Sequence, residues 1–268
     1  VYKRQAGAIG IAAIWTLITL IKPIIEGMKI SLQSMSGSAA ERELHRMDTD
    51  MSTKSVMLTF AVILVGLVIT FWDFVSAVPI SAGLMWTLVV VGVVVALLIG
   101  FFVAAACGYM AGLIGTSASP ISGIGILATI ISSLVVYFIA SENNLFATEA
   151  GVQFATAMAI FMTSVVIAIA SISNDNLQDL KTGQLVGATP WRQQIALLLG
   201  SVAGAIAIAP VLNLLYQAYG FTGALPRAEM DPNAALSAPQ ATLMTTIAQG
   251  IFNASMDWNY CLLYTSDA

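Results

Sequence analysis

Long apolar runs alternate with short polar breaks along this chain. The apolar runs cover residues 7–25, 56–72, 82–115, 124–140, 152–171 and 194–216, and a seventh begins near Ala241. A helix that crosses a bilayer needs about 20 mostly apolar residues, because the hydrocarbon core is about 30 Å thick. The 82–115 run is longer than one span requires. Polar breaks fall at 26–55, 73–81, 141–151, 173–193 and 220–240. The pattern predicts an all-α, polytopic transmembrane helical bundle of about six to seven spans.

Composition removes the other broad classes. Hydrophobic residues make up 58% of the 268 residues and charged residues 9%, against about 25% charged in ordinary soluble domains. Ten Lys and Arg with fourteen Asp and Glu are too few to coat a water-facing shell. That excludes an ordinary soluble enzyme, a disordered chain and a basic nucleic-acid binder. The lipid bilayer is the partner this composition implies. Cys107 and Cys261 form no disulfide framework and no metal-ligand spacing.

Basic residues orient the spans, because they collect in cytoplasmic loops. Lys29, Arg42, Arg46 and Lys54 place 26–55 inside. Alternation then puts 73–81 outside, 116–123 inside, 141–151 outside, 173–193 inside and 220–240 outside. Lys181 and Arg192 fall inside on this count, and Arg227 outside. Trp72, Trp86 and Trp191 stand near span ends, where interfacial aromatics anchor. Residues 1–5 (VYKRQ) and 259–268 fit no span or cap. They are expected to be non-native scars flanking a transmembrane fragment at 6–258.

Two stretches carry candidate chemistry. The first, AACGYMAGLIGTSASPISGIGIL at 105–127, holds five glycines, Pro120 and a cluster of hydroxyls. Pro120 removes a backbone donor, and Ser119 before it is biased away from helix. A broken helix is therefore expected near 115–123. Backbone that is not helical survives at membrane depth only inside protein or against a wet cavity, and transporters use such breaks to hold cargo. A tight turn between two spans, with Gly108-x-x-x-Gly112 as plain helix packing, is the other reading. The second stretch, NDNLQDLKTGQLVGATPWR at 174–192, places Asp175 and Asp179 on one helix face. Lys181, Gly183, Gly187 and Pro190 then punctuate a loop, and Pro190 opens the sixth span. It reads either as a solvated loop or as an inward gate. Gly200-x-x-x-Gly204 reads as a helix contact. No catalytic constellation is present: His45 is the one histidine, and there is no H-E-x-x-H and no Walker A loop. An enzyme is not expected, nor a cofactor or metal site.

The two stretches together resemble the oligopeptide transporter (OPT) family, which includes the yellow-stripe-like metal-chelate carriers. GLIGTSASPISGIGIL at 112–127 is similar to the family's N-P-x-S-G segment, with Ser119 standing where an Asn often precedes the Pro. Asp179, Leu180, Lys181, Thr182, Gly183, Gly187 and Pro190 match the family's D-L-K-T-G-x-x-x-G-A-x-P segment. APVLNLL at 209–215 and LSAPQA at 236–241 are similar as well.

The resemblance implies secondary active, proton-coupled transport of oligopeptides or peptide-like metal chelates, and more spans than this chain holds. With the residue reading above, substrate contacts are expected at Tyr109, Gly115, Ser117, Ser119, Pro120, Ser122 and Gly123, with gating or coupling by Asp175, Asp179 and Lys181. The expected location is a bacterial inner membrane, with 26–55 and 173–193 cytoplasmic. A passive pore or a membrane scaffold subunit that transports nothing is the alternative.

Overall fold

A computed structural model describes residues 46–114, 121–221 and 234–253, with scattered positions between 15 and 29. Six helices make up the described core: α1 (Thr53–Ser76), α2 (Ala82–Ile114), α3 (Ile121–Glu142), α4 (Glu149–Val186), α5 (Pro190–Ala218) and α6 (Pro239–Phe252). The first five are long and apolar enough to cross a membrane. The predicted first run falls mostly outside the described residues. The seventh run becomes α6, whose 14 residues are too few to span.

Local chemistry sets the helix ends. Ser52 caps α1 by accepting a hydrogen bond from Ser55 N, and Thr148 caps α4 by accepting from Gly151 N. Gly187 closes α4 in the left-handed region (φ 75°), where a side chain would be strained. Pro190 opens α5 at its first turn, as predicted, where its missing N–H has no helical partner to lose.

α4 is the central helix. It packs on α2, α3 and α6, and its far end meets α5. The largest buried cluster joins Phe71 and Val75 of α1, Leu88 and Val89 of α2, Ala155 and Met158 of α4, and Ala248 of α6. The outward faces of the helices are Val, Leu, Ile and Phe. Leu58, Val62 and Ile206 are each more than half exposed. Such surfaces suit hydrocarbon rather than water. Trp72 and Trp86 are exposed on either side of the α1–α2 turn, as interfacial anchors should be.

Two sequence expectations change here. The predicted 173–193 break is not a loop: α4 continues as helix to Val186, and only residues 187–189 turn. The stretch 173–186 contains no Pro, and its Leu177 keeps the apolar stripe by packing on Gly108. Strict alternation of sides also fails at α6. Met244 lies against Gly125 near the start of α3, and Phe252 packs on Phe146 in the turn after α3, with ring centroids 5.5 Å apart. So α6 runs in the same direction as α3. Its start lies level with the start of α3, although the chain enters it from the end of α5. The backbone before α6 returns to the end of α5, where Leu236 N donates to Gly220 O at 3.0 Å.

Candidate functional site

The first predicted site straddles the α2–α3 junction. Gly115, Ser117, Ser119 and Pro120 lie outside the described residues. The helix resumes at Ile121, so Ser122 and Gly123 occupy the first turn of α3 rather than an unwound segment. Ser122 is exposed and Gly123 buried, while Tyr109 stands 41% exposed on α2. No hydrogen bond joins Tyr109 to Ser122 among the described residues.

Gly108 belongs to packing. A Cβ there would meet Ser173 Oγ and Leu177 of α4, and Ser173 Oγ donates to Ala104 O at 2.6 Å across the same contact. The glycine spacing in this run thus brings two backbones together, as the plain packing reading has it.

The second predicted site assembles in part. Asp175 and Asp179 lie on one face of the α4 extension and look into an open groove of about 570 Å³. Across the groove stand Gln193, Leu197, Gly200 and Ser201 of α5. Asn174, buried beside it, donates from Nδ2 to Asp175 Oδ1 at 3.4 Å. Lys181 does not join them. It sits two residues from Asp179, on another face of the helix, and its Nζ donates to Gln184 Oε1 at 3.3 Å.

Gln193 was not visible as a site residue from sequence. Its Nε2 donates to Asp179 O at 2.9 Å, and its Oε1 is buried with no partner among the described residues. Gly183 makes room for it, because any side chain there would collide with the Gln193 carboxamide. The one sequence signal was the glycine itself inside a helical stretch.

A strap from 46–51 holds the same end of the molecule. Arg46 donates to Gly187 O at 2.8 Å, and Trp191 N donates to Thr49 O at 3.2 Å. Met51 N donates to Gln194 Oε1 at 3.0 Å, and Gln194 Nε2 to Asp50 Oδ1 at 3.4 Å. Arg192 lies over Trp191, 5.3 Å from the ring centroid. The two polar regions read as cytoplasmic from sequence therefore meet at one end. What the arrangement offers chemically is a pair of carboxylates beside an open, polar groove, in a helix that continues an apolar span.

Comparison with known proteins identifies the family. A family model described as "OPT oligopeptide transporter protein" matches residues 1–265. A Haemophilus influenzae protein named "Putative oligopeptide transporter" is 56% identical over 256 residues, which cover 96% of this chain and 40% of that protein. The chain thus spans well under half the length of that relative. No solved structure matches. On the length of the family match and the identity of the relative, the chain belongs to the OPT oligopeptide transporter family.

Proposed function

We propose that this chain is part of a secondary active, proton-coupled membrane transporter of oligopeptides or peptide-like metal chelates. Family membership and the relative's name support peptides as cargo, and the five apolar helices support a bilayer as solvent. One observation carries the coupling: Asp175 and Asp179 face one open groove at the end of a membrane helix. A proton-driven carrier needs a group that takes and releases a proton within reach of water, and both carboxylates are exposed to that groove. Cargo is bound in this reading beside Gly115, Ser117, Ser119 and Pro120, with Tyr109, Ser122 and Gly123 flanking. The meeting of 46–51 with 187–194 supports a common side for the two basic regions, the cytoplasm of a bacterial cell whose inner membrane holds the protein.

The test uses the full-length protein in proteoliposomes and a mixture of alanine-rich tri- to pentapeptides. With acid outside, peptide should accumulate above its external concentration, and a protonophore should abolish the accumulation. Replacing Asp175→Asn and Asp179→Asn together should remove accumulation yet leave peptide exchange. Accumulation that ignores the protonophore overturns proton coupling. Uptake that stops at equal concentrations points to a passive pore.

A further inference from the structure

A second hollow lies away from the carboxylates, between α1, α4 and α6. Its volume is about 510 Å³, and its lining includes Phe74, Gln153, Thr156, Phe161, Thr245 and Gln249. Phe74 and Phe161 form a stacked aromatic wall, with ring centroids 4.4 Å apart and planes 4° from parallel. The hydroxyls of Thr156 and Thr245 donate back to Val152 O and Ala241 O, so their protons are committed within their own helices. The two glutamines differ. Both side chains are exposed toward the hollow, and neither carboxamide makes a hydrogen bond among the described residues.

Both amides are exposed, so anything that displaces water from them inside a bilayer must pair them. A carboxamide left unpaired against hydrocarbon costs several kcal/mol, on the order of 4–8 in a solvent that cannot hydrogen-bond. A lipid tail in the hollow offers nothing to either amide. The occupant must therefore supply donors and acceptors together, and it must tolerate an aromatic wall. A primary carboxamide carries one acceptor oxygen and two donors, so it can form a reciprocal pair of hydrogen bonds with the N–H and C=O of an extended chain. No Lys, Arg, Asp or Glu among the described residues lines the hollow. A free terminal carboxylate or ammonium would find no counter-charge there.

We propose that this hollow binds the interior peptide bonds of an extended, uncharged stretch of oligopeptide, Gln153 and Gln249 each pairing with the backbone and the Phe74–Phe161 wall taking apolar side chains. The inference rests on the transport reading above and adds a selectivity to it. Recognition here is of backbone rather than termini, so peptides with blocked ends should bind as well as free ones.

The experiment uses cysteine-free full-length protein in proteoliposomes, carrying Gln153→Cys or Gln249→Cys, with Val62→Cys on the lipid face of α1 as a control. A maleimide that does not cross membranes is added with the same peptide mixture, either free or N-acetylated and C-amidated. Both glutamine-site cysteines should label, and both forms of peptide should slow that labelling while leaving Val62→Cys unchanged. In parallel, Gln249→Ala should raise KM for uptake about thirtyfold for one lost pair of hydrogen bonds and leave Vmax intact; a purely structural residue would lower Vmax and yield instead. Labelling that ignores peptide in protein that still transports overturns the site and leaves the transport reading standing. Cysteines that never label mean that lipid or another helix fills the hollow, which also overturns it. Absence of uptake by the unaltered protein sinks the transport reading and this proposal together.

Discussion

Two helices that pack on α4 carry the same glycine spacing, Gly108-x-x-x-Gly112 on α2 and Gly200-x-x-x-Gly204 on α5. On α2 the spacing is used. Gly108 brings the α2 backbone onto Ser173 and Leu177, and Ser173 donates across to Ala104 O. On α5 the spacing meets nothing. A Cβ at Gly200 or Gly204 would find no atom within 4 Å among the described residues. None of the residues of α5 is buried, and it touches α4 chiefly where Gln193 reaches Asp179. Small residues permit close approach in a membrane, but they do not drive it. The drive comes from what the partner offers. Opposite Gly108 stand a leucine and a serine with a carbonyl to bond; opposite Gly200 stand two carboxylates and a groove.

The largest effect expected follows from that contrast. Gly108→Leu would force a side chain into Ser173 and Leu177, and overpacking of this kind costs about 1–3 kcal/mol or more. The thermal midpoint of the detergent-purified full-length protein should fall by several degrees. Gly200→Leu should shift it by no more than about 0.5 kcal/mol, as for other substitutions without neighbours. Equal losses from the two would show that another part of the full-length protein covers α5. A smaller effect is expected at the polar contact. Gln193→Leu removes the bond to Asp179 O, worth about 1 kcal/mol, and also removes the unpartnered Oε1. The two changes oppose, so the midpoint should move little while the α4–α5 groove loses its polar wall. Uptake driven by a proton gradient should drop more than stability does.

Much of the fold was legible from hydrophobic pattern alone, because a bilayer dictates span length so strongly. The runs at 56–72, 124–140, 152–171 and 194–216 each fall within one helix, and the 82–115 run is helical through Ile114, its last described residue. Pro190 was correctly placed at a helix start, since its backbone preference acts locally, whereas Gly187, read as loop punctuation, ends α4. The polar continuation of α4 was misread because polarity signals exposure to water, not the end of a helix. Residues 173–186 leave the apolar layer while the hydrogen-bonded spiral carries on. The direction of α6 was misread for a related reason. Counting sides assumes that each run sets off across the bundle from the face where the last one ended, whereas α6 runs with α3 although the chain enters it from the end of α5. At the candidate sites, spacing correctly paired Asp175 with Asp179, but Lys181 matched the family segment while facing elsewhere. Gln193, in a polar break, and Gln153 and Gln249, in apolar runs, were invisible because a glutamine has meaning only once its neighbours are known.

The smallest effect belongs to the strap that closes the polar end. Arg46 donates to Gly187 O, the carbonyl of the residue that ends α4 in the left-handed region. Carbonyls at a helix end lack intrahelical partners, and a cation there also meets the negative end of the helix dipole. The contact is exposed, so its bond is screened. Arg46→Ala should cost about 0.5–1 kcal/mol at low salt, and less as salt rises. Arg46→Lys should recover part of it, since an ammonium can still donate to one carbonyl. Limited proteolysis is the sensitive readout. The backbone bonds Trp191 N to Thr49 O and Met51 N to Gln194 Oε1 remain in the variant, so cleavage should rise near residue 46 before it rises near 51. If instead the α2–α4 packing responded as strongly as the strap, the two sides of α4 would be coupled, and the independence drawn from their contrast would fail.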